Sequence, residues 1–69
     1  MFNESLFRYI LNKNGRDIKY AAKIMGISIT TLYRKMAGES DFMRKEIRLF
    51  AEAFPDDDLM PVFFSTKVS

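Results

Sequence analysis

The 69-residue chain predicts an all-α fold, a compact bundle of four to five short helices, and three observations carry that expectation. Apolar residues recur at helical spacing, with Leu6, Phe7, Ile10 and Leu11 near the start and Ile47, Phe50, Ala51 and Phe54 further on. Each periodic segment follows a residue able to cap a helix and precedes Gly or Pro. Seven Phe and five Met supply the core of a small helical bundle, and the length permits one domain, residues 1–69.

The elements follow in order. The first helix is expected from about Asn3 to Asn14, with Asn3 as its cap and Gly15 as a left-handed terminator. Asp17 caps a second helix, Ile18 to Met25; its carboxylate accepts backbone N–H groups at the positive end of the helix dipole. Gly26 ends that helix, because a tight interhelical turn needs a residue that adopts positive φ without steric cost. Ile27 then plugs the angle between the helices. Ser28 caps a third helix to about Met36 or Ala37, which Gly38 ends.

The loop Glu39–Phe42 leads to a fourth helix, Met43 to Phe54, with Asp41 as the expected cap and Pro55 as the stop. Asp56-Asp57-Asp58 can open a short fifth helix or turn, which Pro61 interrupts or ends. Val62, Phe63 and Phe64 form an apolar patch before a polar tail. Neighbouring residues point in different directions, so one core is not expected to bury both Phe63 and Phe64. Either a subunit interface or the underside of the domain would cover the second.

Composition narrows the function. The chain has no Cys and no His, so disulfides, Cys or His metal sites and a His-dependent catalytic triad are excluded. An enzyme is not expected, nor a cofactor, a metal or a small-molecule substrate. No apolar run approaches the length of a membrane span, and the N-terminus lacks a signal-peptide pattern. A cytoplasmic location is the expectation. Net charge is only +2, yet residues 1–35 carry +5 and residues 36–69 carry −3. A basic half suits a polyanionic partner; an ordinary solvated mixed-charge surface is the other reading.

The window Ile18–Gly38, IKYAAKIMGISITTLYRKMAG, carries the functional signal. It has the order of a helix-turn-helix, in which one short helix props a second against the major groove of DNA. Ala22, four residues before Gly26, is small where the two helices cross closely. Ala21, Met25, Ile27 and Leu32 supply apolar contacts at the crossing. On a helix starting at Ser28, Leu32 and Met36 face inward, while Ile29, Thr30, Tyr33 and Arg34 project outward. Arg34 can donate two bonds to guanine O6 and N7; Thr30 can bond a base edge or touch a thymine methyl, and Ile29 can meet that methyl. Tyr33 can reach a base or a phosphate. Phosphate contacts are expected from Ser28 and Thr31 by their hydroxyls and from Arg16, Lys19, Lys35, Arg44 and Lys45 by charge.

The pattern A-x3-G-I-S-x3-L, with Gly six residues after the Leu, resembles the helix-turn-helix of phage Cro and repressor proteins. The continuation LYRKMAGESDFMRKEI, an amphipathic helix and a late Phe-Phe pair resemble small phage-associated regulators of Gram-positive bacteria. The resemblance implies a lambda-repressor-like DNA-binding domain, with base reading by Ile29, Thr30 and Arg34 beside Tyr33, and a phosphate contact at Ser28. The chain departs from this family at three positions. Ile18 stands where a phosphate-binding Gln is common, so Lys19 would replace it; Lys35 stands where an inward apolar residue is common. Met43 stands where Thr caps the fourth helix and pairs with Glu46, so a capping box is not expected.

Two functions are compatible with this pattern. The first is a sequence-specific regulator of transcription on double-stranded DNA, acting as a homodimer on a palindromic operator and occluding a promoter. At this length, dimer contacts would have to come from the fourth helix, the fifth element or the tail Val62–Ser69. The second is a protein-interaction module, antirepressor-like or antitoxin-like, with Ile29 and Tyr33 buried against protein.

Overall fold

The structure, a computed structural model, describes residues 2–64. The described residues form five helices and no strand: α1 (Glu4–Lys13), α2 (Ile18–Met25), α3 (Ile29–Met36), α4 (Arg44–Ala53) and α5 (Met60–Phe63). The all-α expectation holds, and the first three helices lie within a residue or so of their expected bounds.

Local hydrogen bonds explain those bounds. Asn3 Oδ1 accepts the Leu6 N–H at 3.0 Å, Asp17 Oδ1 the Tyr20 N–H at 2.9 Å, and Ser28 Oγ the Thr31 N–H at 3.0 Å. Each such cap stabilises its helix by about 1 kcal/mol. Gly26 turns the chain between α2 and α3 at φ 73°, and the Ile27 N–H bonds back to the Ala22 carbonyl at 3.1 Å. A Cβ built on Gly26 would meet no heavy atom within 4 Å, so glycine is needed there for its backbone angle and not for room.

The start of α4 departs from expectation. Met43, not Asp41, occupies the N-cap. A thioether is a poor acceptor, but the return half of a capping box forms: the Met43 N–H donates to Glu46 Oε1 at 2.9 Å. Asp41 contributes its backbone carbonyl instead, which accepts from Lys35 Nζ at 3.2 Å. Pro61 is also placed differently. It lies inside the first turn of α5, where a missing N–H has no helical partner to lose.

Six of the seven phenylalanines form one aromatic cluster. Phe7 stacks on Phe50 with ring centroids 4.8 Å apart, and Phe50 meets Phe54 at 4.8 Å. Phe2 and Phe42 pack at 4.7 Å, and Phe63 lies edge-on to Phe42 at 5.1 Å. Phe7 and Phe50 are fully buried, as are Leu11, Leu32 and Val62. The cluster joins α1, α4 and α5. Against it, α2 presents the buried Ala21, Ala22 and Met25 and makes its broadest contact with α4, then with α3.

The connection between α4 and α5 is pinned to the end of α1. Asp57 forms an ion pair with Lys13 and accepts from Asn14 Nδ2 at 3.3 Å, while Asp58 Oδ1 accepts the Met60 N–H at 3.1 Å. The bond to Lys13, helped by Asn14, holds the Asp57 carboxyl below the ordinary aspartate value; the same bond holds the Lys13 ammonium above its own. A lowered carboxyl favours the folded state above the ordinary aspartate range, and that contribution fades as pH falls through the lowered value. The raised ammonium contributes below the ordinary lysine value and fades as pH rises through the raised one.

Two outcomes are expected. In a side-chain NMR titration Asp57 titrates below an ordinary aspartate and moves back toward it in Lys13→Ala. Ala22→Leu overpacks the junction of α2 with its neighbours and lowers stability by about 1–3 kcal/mol in urea unfolding; a neutral result would mean that the helices there are not closely packed.

Candidate nucleic-acid interface

Helix α3 has two faces set by its 3.6-residue period. Leu32 is fully buried, and Lys35 and Met36 are buried with it. Ile29, Thr30, Tyr33 and Arg34, at relative positions 0, 1, 4 and 5, share the opposite face and are exposed. Ile29 is 38 % and Tyr33 45 % exposed, so both side chains are open to a partner. The ridge therefore offers a hydroxyl, a phenol, a guanidinium and an apolar surface side by side.

At the start of α3 the two hydroxyls are bonded to each other. Ser28 donates to Thr31 Oγ1 at 2.9 Å and accepts the Thr31 N–H. The Ser28 proton is thus engaged, and the Thr31 hydroxyl is the one left to donate outward. At the start of α2, the Arg16 guanidinium lies 4.3 Å from the Tyr20 ring centroid, a cation–π contact that restricts a long side chain. Lys19 is exposed in the first turn of the same helix. Arg44 and Lys45 are exposed at the start of α4; Arg44 lines a cleft with Phe42, Arg48 and Phe64 that includes no residue of α3.

Lys35 requires a correction. It was expected at phosphate, but its ammonium is buried and bonded to Glu46 Oε1 at 2.7 Å, Glu46 Oε2 at 2.9 Å and the Asp41 carbonyl at 3.2 Å. All three of its donors are occupied. The reason is helical spacing: Lys35 lies three residues after Leu32, and Glu46 four before Phe50, so both point inward. The Lys35 and Glu46 side chains are only 7 % and 8 % exposed. Opposite charges at inward positions of two helices were the available signal for this pair.

Arg8 is a further residue of the site that sequence reasoning passed over. It pairs with Glu4 at 2.9 Å on α1. Glu4 first, and Tyr33 to a smaller degree, raise its already high affinity for a proton. It also lines a cleft with Asn12, Arg16 and Asp17 at the start of α2. A lone Arg on the polar face of a helix carries no sequence signal for this, because its position depends on how α1 packs against the start of α2.

Removing one member of the buried pair leaves a charge without a partner. Lys35→Met is expected to lower stability by about 3–5 kcal/mol, and Lys35→Met/Glu46→Leu to recover most of that loss, both read by denaturant unfolding.

The family described as "Bacterial regulatory protein, Fis family" matches residues 9–37, which take in the second half of α1, all of α2 and all of α3. No curated protein and no solved structure matches the chain. No described helix is long and apolar enough to cross a membrane. The family match covers less than half of the chain and falls on the helix pair that presents the exposed ridge, and it supports a helix-turn-helix regulator that binds DNA.

Proposed function

We propose that the chain is a sequence-specific transcription regulator of double-stranded DNA, a Cro-like or repressor-like switch protein of phage type with residues 1–69 as one DNA-binding domain. The ridge of Ile29, Thr30, Tyr33 and Arg34 on α3 carries this reading, because it combines exposure with groove-reading chemistry. Arg34 reads guanine, Thr30 and Ile29 meet thymine, and Tyr33 contacts a base edge or phosphate. Arg16, Lys19, Ser28, Thr31, Arg44 and Lys45 contact phosphates, with Arg8 added to that set and Lys35 removed from it.

The mechanism is steric. One short recognition helix spans too few base pairs to specify a site, so a homodimer binds two half-sites about 34 Å apart and occludes a promoter. The exposure of Ile29 and Tyr33 favours a second reading, a protein-interaction module that buries them against a partner. Salt separates the two: phosphate-dominated binding weakens steeply as salt rises, and an apolar contact does not.

Selection of bound duplexes from a random pool is expected to return a palindromic motif. On that motif Arg34→Ala weakens binding by about 1–3 kcal/mol and relaxes the preference at one base pair. An unchanged preference would remove Arg34 from the readers, and failure to enrich any duplex would favour the protein partner.

A further inference from the structure

Phe64 is the phenylalanine left out of the aromatic cluster. It is 53 % exposed, and Met60, one turn before it, is 63 % exposed. Phe64 lies between two adjoining clefts that share Ile47. Phe42, Arg44 and Arg48 line one; Asp57, Asp58 and Met60 line the other. No residue of the α3 ridge lines either cleft. Asp57 is held by Lys13, and Asp58 uses one carboxylate oxygen on the Met60 N–H, leaving its other oxygen for an outside donor. Arg44 and Arg48 have no ion-pair partner among the described residues.

We propose that this face binds a second copy of the chain across a two-fold axis. Phe64 of each protomer enters the apolar surface beside Ile47 of the other, and Arg48 of each meets Asp58 of the other. The charge layout selects this occupant. The apolar patch is basic at one end and acidic at the other, so a copy turned by a two-fold rotation opposes unlike charges at both ends. A partner of uniform charge would match one end and be repelled at the other. The contact leaves the ridge of α3 uncovered in both protomers. It deepens the proposed function, since a two-fold pair of ridges suits a palindromic site, but it is measurable without DNA.

Sedimentation equilibrium of the full chain, without DNA, tests it. The wild type is expected to associate reversibly, and Phe64→Asp to weaken association by about tenfold or more, the effect of losing a buried aromatic anchor. Arg48→Asp and Asp58→Arg each weaken association, and Arg48→Asp/Asp58→Arg restores it, with circular dichroism confirming that each variant is folded. Association that is unchanged in Phe64→Asp overturns the proposal, as does a wild type that stays monomeric throughout the micromolar range. Association that appears only after removal of residues 65–69 also overturns it, because the chain's own tail is then the occupant. A monomer that still binds a single half-site would end the dimer face while leaving base reading by the α3 ridge standing.

Discussion

The stack of Phe7 on Phe50 is the contact on which the remaining packing depends. A chain of this length buries only about 60 % of the surface its unfolded form exposes, so its core must be dense where it exists. Aromatic side chains bury about 150–250 Å² each and dominate the energetics of such a core. The Phe7–Phe50 pair brings α1 and α4 together, and Phe63 joins α5 to both through its edge contacts at 6.3 and 5.8 Å. Helix α2 then settles on this frame through two alanines, and α3 follows from α2 through the turn at Gly26.

Electrostatics takes over where the aromatic cluster ends. The C-terminal part of α3 is tied to α4 by Lys35 and Glu46, and the same two side chains hold the intervening loop through the Asp41 carbonyl and the Met43 N–H. A buried ion pair adds little net stability over well-packed apolar residues. Its effect here is geometric, because four directed bonds meet at one point and restrict how α3 can sit on α4. An apolar residue in place of Lys35 would fill the space without directing the loop, so the cost of burying a charge is offset by the order it imposes on the start of α4.

Much of the fold could be inferred from residues close in sequence. Asn3, Asp17 and Ser28 cap helices through bonds to amides three residues away, and such bonds depend on nothing distant. Gly26 is equally local. The errors fall where distant groups compete. Asp41 looked like a cap because its carboxylate is suitable, but Glu46 reached the Met43 amide and Lys35 took the Asp41 carbonyl. Pro61 looked like a terminator because a proline inside a helix is one; at the first turn it is not. In the site, the exposed ridge followed from periodicity alone. The burial of Lys35 was visible only as an inward register at odds with its charge, and the place of Arg8 beside Arg16 and Asp17 depends on how α1 packs against α2.

The Asn3 N–H donates to the Val62 carbonyl at 2.7 Å, a bond that spans almost the whole described chain. The bond joins the residue that caps α1 to α5, the helix that Phe64 follows as its C-cap, and closes the described chain into a ring. The bond therefore ties the first turn of α1 to α5, and breaking it would release a backbone donor at one end of the described chain and an acceptor at the other.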